Sequence, residues 1–284
     1  MVYWDILPYK CPIFARFMNI RLFVFIVFLS FTASSCNNGF NKVMKSTDYE
    51  YKLKKAIEYY DNKKYRQSQM LFEELFPIYK GTPQFEDLYY RYCTGAYYQK
   101  DYASAENLFK GFLDMFPNSD KAEQMEFLEA YTYYLQSPKP QLDQTNTIKA
   151  IGMMQTFINT HVGSPRNKQA DDIINKCLVK LEIKEMEAAK LYYNMGQYKA
   201  SAIAYTSLIN NYPYSDKADQ YKLQIIKSYY KYANLSIQER RQERYVKVIS
   251  EVNDFQDRFP ESKYLKEAER YLTLSSNNIK SIPK

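Results

Sequence analysis

Phe116-Pro117-Asn118-Ser119, Tyr212-Pro213-Tyr214-Ser215 and Phe259-Pro260-Glu261-Ser262 are three copies of one four-residue stretch, and their reading decides the fold. Two worn copies, Tyr79-Lys80-Gly81-Thr82 and His161-Val162-Gly163-Ser164, complete a series whose members begin 37, 45, 51 and 47 residues apart. In each, an aromatic closes a helical pattern, Pro or Gly stops it, and Ser or Thr is placed to cap the helix that follows. Pro83 and Pro165 come directly after two of these caps, where a missing N–H costs nothing. Breaks at this interval, with one supersecondary unit between each, predict a helical repeat array.

The segments between breaks support this. Short polar turns divide them into a helix A and a helix B: Asp61-Asn62-Lys63-Lys64-Tyr65, Gln99-Lys100-Asp101-Tyr102 and Asn194-Met195-Gly196-Gln197-Tyr198. Counted from the tyrosine that ends each turn, an aromatic recurs seven residues on (Phe72, Phe109, Tyr205) and Lys80, Pro117 or Pro213 fifteen on. A small residue stands nine before it (Ala56, Cys93, Ala189). A side chain of that size lets two helix axes approach, and an aromatic fills the gap beside it. The pattern resembles the tetratricopeptide repeat, which implies two antiparallel helices per unit. Thr147, Ala150, Met154 and Phe157 hold the same places in a degenerate third unit, and Tyr245, Val248, Val252 and Phe255 in a fifth. Their A–B connections are longer, from Ser137 through Asn146 and from Asn234 through Gln238. A helix through Tyr264, Leu265, Ala268, Tyr271 and Leu272 would close the array, since terminal repeats need a cap. The expected fold is therefore all-α: a tetratricopeptide-like helical repeat solenoid of about five helix pairs plus a C-terminal capping helix. The segment 166–195 reads equally as one extended helix or two stacked turns.

Composition agrees. Of 284 residues 46% are hydrophobic and only 7 are glycine, and β-branched alternation is rare. That length suits one elongated array or two compact domains. Tyrosine is abundant, at 30 residues, and supplies packing area with a polar tip. A formal charge of +7 without a dense basic cluster is a weak argument for nucleic acid, and no nucleic-acid partner is expected.

The N-terminus differs in kind. Leu22 to Phe31 is a nearly unbroken apolar run preceded by Arg21 and followed by Ala33-Ser34-Ser35-Cys36. A bilayer span needs roughly 20 residues, so this run has the length of a signal-peptide core. Small residues leading into cysteine resemble a bacterial lipobox, which implies cleavage before Cys36 and a diacylglycerol on its thiol; the alternative is an ordinary secretory signal with an incidental cysteine. Several acyl chains on one residue would anchor the protein at a membrane surface. The expected division is a signal peptide over 1–35 (Met18 opens a more conventional signal than Met1), the lipidated Cys36 with a polar tether over 36–46, repeats one to three over 47–165, and repeats four and five with the capping helix over 166–284. Cys93 and Cys177 lie in helical patterns and read as small core residues; sequence leaves a disulfide between them open.

Residues for chemistry are hard to find. His161, the one histidine, lies in a repeat boundary and reads as a stand-in for the boundary aromatic. No nucleophile–His–acid arrangement, clustered metal ligands or Gly-rich phosphate loop is recognisable. The expectation is a protein that is not an enzyme, with no catalytic residue, metal or cofactor. Two features bear on binding. Tyrosine doublets recur at 59–60, 89–90, 97–98, 133–134, 192–193 and 229–230, all in A-type helices. Adjacent helical residues point about 100° apart, so one ring of each pair can pack on helix B while the other faces outward. Tyr59, Tyr60, Tyr89, Tyr97 and Tyr98 are then candidates for a peptide-binding groove, the alternative being tyrosine used as core filler. Arg240, Arg241 and Arg244, with Lys247, form either a docking point for acidic groups of a partner or a solvated helix end.

The lipobox cysteine, the tether and five repeats with aromatic-Pro-x-Ser boundaries resemble the BamD family of outer-membrane assembly lipoproteins, also called ComL or YfiO. Ser262-Lys263-Tyr264 and Ala268 match the family boundary, while Asp120-Lys121-Ala122 and Asp216-Lys217-Ala218 depart from its tyrosine. The resemblance implies an outer-membrane, periplasm-facing lipoprotein of a Gram-negative bacterium that takes part in β-barrel insertion. Its implied partners are unfolded outer-membrane proteins at the N-terminal repeats and the periplasmic domains of a BamA-like barrel subunit at the C-terminal ones. Two other readings are a scaffold for cell-wall or division-site coordination and a carbohydrate-uptake lipoprotein, though the short connections leave no room for the latter's large insertions.

Overall fold

The computed structural model describes residues 37–282, and the expected signal peptide and Cys36 lie outside them. Among the described residues all regular structure is helical, in twelve helices. They are α1 (Asn37–Met44), α2 (Tyr49–Asp61), α3 (Tyr65–Tyr79), α4 (Gln84–Tyr98), α5 (Tyr102–Met115), α6 (Ala122–Leu135), α7 (Thr145–Thr160), α8 (Asn167–Asn194), α9 (Tyr198–Asn211), α10 (Ala218–Asn234), α11 (Gln238–Arg258) and α12 (Leu265–Lys280). Helices α2 to α11 form five A–B hairpins and α12 closes the series, the tetratricopeptide-like arrangement that the spacing predicted. The open segment after 166 is one helix of 28 residues.

The chain divides into two compact units at Met125/Glu126, inside α6 and well before residue 165. In the first, Ala56 of α2 is buried under Leu71, Phe72 and Leu75 of α3, with Phe40, Val43 and Leu88 completing the core. In the second, three clusters succeed one another. Phe127, Met154, Phe157 and Cys177 bind α6, α7 and α8; Ala189, Tyr205, Leu208 and Ile225 bind α8, α9 and α10; Ile226, Val252, Phe255 and Ala268 bind α10, α11 and α12. Deleting such a buried aromatic costs about 3–5 kcal/mol.

The expected tether is a correction. Residues 37–44 are helical, and Phe40 and Val43 of α1 are buried. Phe40 sets its ring edge-on to Tyr59 at 5.6 Å, and buried Lys52 donates to Met44 O at 3.0 Å while pairing with Glu74 at 2.6 Å. The asparagines set the segment's polar look, but two apolar residues three apart share a helix face and suffice to dock it. A second buried cation, Lys222, is 5% exposed and ion-paired with Glu251 and Asp254. Burial pushes the Glu251 carboxyl up, but hydrogen bonds from Lys222 and Lys247 outweigh it and hold the group below its ordinary value.

The A helices α2, α4 and α8 end in the same way. Lys63 N donates to Tyr60 O and Lys64 N to Tyr59 O; Lys100 and Asp101 repeat the pair on Tyr97 and Ala96, and Gly196 and Gln197 on Tyr193 and Tyr192. This is the Schellman closure, which demands a left-handed residue. Lys63 (φ 60°), Lys100 (φ 64°) and Gly196 (φ 76°) supply it, but only glycine does so without a Cβ clash. Lys100→Gly is accordingly expected to stabilise the protein by about 0.5–1 kcal/mol, and Gly196→Ala to destabilise it by about 1 kcal/mol. Urea unfolding midpoints measure both, and a lower midpoint for Lys100→Gly contradicts the assignment.

Candidate functional site

The repeat boundaries are built alike down to single hydrogen bonds. Thr82, Ser119, Ser164, Ser215 and Ser262 each donate N–H to the carbonyl of the aromatic or histidine three residues back. Each offers its own carbonyl to the N–H three residues on. The serine hydroxyls do not cap the following helix as expected. The residues in cap position of α8, α10 and α12 are Arg166, Lys217 and Tyr264, none with a side-chain cap bond. A tight turn intervenes, so Ser119, Ser164, Ser215 and Ser262 accept from the N–H two residues on, at 3.0–3.2 Å.

That leaves the hydroxyl proton free for a longer reach. Ser119 donates to Glu86 of α4, Ser215 to Glu182 of α8 and Ser262 to Asp219 of α10, each at 2.6 Å. In the third boundary His161 packs 4.8 Å from Phe157, as an aromatic stand-in would, and its Nε2 lies 2.7 Å from Glu126 of α6. Four of the five boundaries are thus hydrogen-bonded to the A helix one hairpin earlier. Sequence reading missed these acids because they lie 33 to 43 residues away. Glu182 is 6% exposed and also accepts from Tyr221 at 2.7 Å. Ser215→Ala is expected to cost about 1–3 kcal/mol, more than Ser262→Ala, because a buried carboxylate loses a donor that water replaces at the more open Asp219. Thermal unfolding of the two variants ranks them.

In the first unit the tyrosines flagged by sequence divide. Tyr59 is half-buried between Phe40 and the Lys64 ammonium, 5.7 Å from its ring centre. Tyr60 is half-buried, bonded to Thr94 Oγ1 at 2.8 Å, with the Arg91 guanidinium 5.2 Å from its ring centre. Tyr89 is enclosed by Phe76, Phe85, Phe112 and Phe116. Tyr97 packs on Tyr98, Tyr102 and Phe109. Of the five, Tyr98 is the exposed one, at 48%. It stacks on Tyr65 at 5.1 Å, and Tyr65 meets Tyr60 edge-on at 5.5 Å. The result is an aromatic step whose inner ring is fixed and whose outer ring is open. Arg91, at its edge, is held by Asp87 at 2.8 Å and Asp61 at 3.1 Å. The inward–outward division of doublets holds for 97–98 and for 192–193, where Tyr192 is 44% exposed, but at 59–60 and 89–90 both rings are half-buried. Nothing in the doublets themselves distinguishes these cases; the neighbouring helix does.

Burial pushes the hydroxyls of Tyr60, Tyr89 and Tyr205 up to about 12 from the ordinary 10; at Tyr60 the Thr94 bond partly offsets it. A raised value means the stability tied to these neutral rings is complete below pH 10 and is lost as pH rises through about 12. Titration of phenolate absorbance is expected to show a late-ionising set that loses one member in Tyr205→Phe.

In the second unit a cavity of about 710 Å³ is lined by Lys199, Tyr229, Tyr232, Arg240, Arg244 and Lys247, with Glu243 the acid among its walls. The Arg244 guanidinium lies 3.9 Å from the Tyr232 ring centre and donates to Ser236 Oγ. Arg241 Nε donates to Ser236 O at 2.9 Å and does not line the cavity. Arg240 pairs with Glu243 at 3.2 Å, both exposed, and Lys247 with Glu251 at 2.7 Å. The structure brings two of the three flagged arginines to one cleft and adds Lys199, which carries no sequence signal because it sits in the first turn of another helix. Cys93 and Cys177 are buried and unpaired, and burial pushes both thiols up. Among the described residues no helix is long and apolar enough to cross a membrane.

Hairpins of this build, with an aromatic step and a basic cleft left open, define a tetratricopeptide-type helical repeat protein. Comparison with known proteins narrows the class. The chain belongs to the YfiO family of outer membrane lipoproteins, which matches residues 47–217. It is similar to a putative outer membrane protein assembly factor BamD of Aquifex aeolicus (strain VF5), with 26% identity over 141 residues, 49% of this chain and 46% of the relative; it thus spans about half of that relative's length. Among solved structures it is similar to the TPR2AB domain of yeast Sti1 in a pHSP90 complex, with TM-score 0.37 and 11% identity over 80% of this chain and 98% of that one.

Proposed function

We propose that this protein is a non-catalytic scaffold of the outer-membrane β-barrel assembly machinery, anchored through a lipid on Cys36 and facing the periplasm. The reading is carried by family membership over most of the repeats, together with the similarity to the putative outer membrane protein assembly factor of Aquifex aeolicus. The first unit receives segments of unfolded outer-membrane proteins on the Tyr98–Tyr65–Tyr60 step, where rings with a fixed geometry contact aromatic side chains at low entropic cost. Tyr97 backs that step through its contact with Tyr98, while Tyr59 and Tyr89 serve as packing rings elsewhere in the unit. The second unit docks on acidic groups of the barrel subunit's periplasmic domains through Arg240 and Arg244, and Arg241 holds the loop at Ser236. A scaffold of the same fold for cell-wall or division-site coordination is the competing reading.

Mass spectrometry of the mature protein tests the anchor: a diacylglyceryl thioether on Cys36 is expected, absent from Cys36→Ser. Co-purification from detergent-solubilised membranes separates the two functional readings, since a large β-barrel partner supports assembly and cell-wall synthases support the rival. Arg240→Glu with Arg244→Glu is expected to release the barrel partner. Tyr98→Ala is expected to weaken binding of aromatic-rich strand peptides about tenfold, in line with roughly 1–3 kcal/mol for an interface aromatic, without lowering the melting temperature. Unchanged peptide affinity removes the client-binding part of the proposal.

A further inference from the structure

The two A–B turns of the first unit share an edge, where Tyr98 at the end of α4 stacks on Tyr65 at the start of α3, and that edge is basic. Lys63 and Lys64 follow α2, Arg66 lies in the first turn of α3 and Lys100 follows α4. All four are exposed, and none makes an ion pair among the described residues. The acids of the same edge are engaged: Glu58 by Lys55 at 2.7 Å, Asp61 by Arg91 at 3.1 Å, and Asp101 by Ser104 N at 3.2 Å. Lys63 and Lys100 hold the left-handed turn position, at φ 60° and 64°, where the matching turn of the second unit has Gly196. Strain kept at two successive turns, where glycine would relieve it, points to a use for the side chain.

Helix α1 sets this edge beside the start of the described chain. Phe40 meets Tyr59 near the end of α2, and Met44 meets Lys52 near its beginning, so α1 runs antiparallel to α2. Its first residue, Asn37, therefore lies at the turn end, where the Tyr59 ring that holds Phe40 also carries the Lys64 ammonium. Cys36 and, upstream of it, the apolar run Leu22 to Phe31 join the protein there. Cations on separate turns around an open ring match a broad array of negative headgroups, with the tyrosine at headgroup level. We propose that the A–B turn edge of the first unit lies on an anionic phospholipid surface, through Lys63, Lys64, Arg66 and Lys100. The position of this contact rests on the lipid read at Cys36; its charge does not. Such a contact fixes the tilt of the first unit, which an acyl anchor by itself leaves open, and brings the aromatic step to the membrane surface.

Lysine acetylation footprinting of the purified mature protein on vesicles tests this, with phosphatidylcholine alone compared with phosphatidylcholine mixed with phosphatidylglycerol. Lys63, Lys64 and Lys100 are expected to react about fivefold more slowly on the phosphatidylglycerol vesicles, the ratio that headgroup attraction gives for one surface cation, and to regain reactivity in high salt. Lys45 and Lys80, which follow α1 and α3 at the opposite edge, are expected to react alike on both. Lys63→Glu with Lys100→Glu is expected to remove the protection of Lys64, Lys63→Arg with Lys100→Arg to keep it, and Tyr98→Ala to leave its dependence on phosphatidylglycerol in place. Equal reactivity on the two vesicles, uniform protection of all five lysines, or protection of Lys64 that survives the glutamate substitutions overturns the proposal. Failure of phosphatidylcholine vesicles to retain the protein counts instead against the lipid on Cys36; retention by phosphatidylglycerol vesicles then supports the basic edge, and its absence overturns it.

Discussion

Close approach of two helix axes at one small residue is the constraint on which the rest depends. Ala56, Cys93 and Ala189 have no exposed surface, and at two of these crossings the partner helix adds the same bond: Ser68 Oγ to Ala56 O at 2.8 Å and Ser201 Oγ to Ala189 O at 2.9 Å. In the second hairpin Ala105 stands where the serine would be, and Cys93 Sγ turns to Leu108 O at 3.4 Å. A bulkier side chain at any of these points forces the axes apart, and overpacking costs typically 1–3 kcal/mol. Once the axes are close, the aromatic seven residues past the turn has a fixed pocket, and successive hairpins inherit one geometry.

Packing within hairpins does not decide how one hairpin meets the next. Within each unit that is set by Ser119, Ser215, Ser262 and His161, each bonded to an acid on the preceding A helix. A hydrogen bond is directional where hydrophobic contact is not, so these links set the register between repeats while the buried apolar clusters supply most of the stabilisation. Thr82, in the most worn boundary, turns its hydroxyl back to Tyr79 O and makes no such link.

The all-α class, the hairpin count, the crossing residues and the closing helix were legible because each recurs at a fixed offset, and repetition turns weak local signals into a pattern. What was not legible depends on partners far off in sequence. The seam acids, the buried pairing of Lys52 and Lys222 and the place of Lys199 beside Arg240 follow from which helices become neighbours. The tyrosine doublets show the same boundary: their positions were plain, but Tyr98 is open and Tyr89 enclosed because of what α3 and α5 bring against them. Helix α1 was misread because its two anchoring residues sit among asparagines.

Helix α1 also bears on mechanics. A single peptide bond separates Cys36 from a helix whose Phe40 and Val43 are embedded in the first hairpin's core. Anything carried on that thiol is joined to the folded body by a stiff stub instead of a length of slack chain. Force applied through α1 would pass straight into α2 and α3, into whose core Phe40 and Val43 are packed.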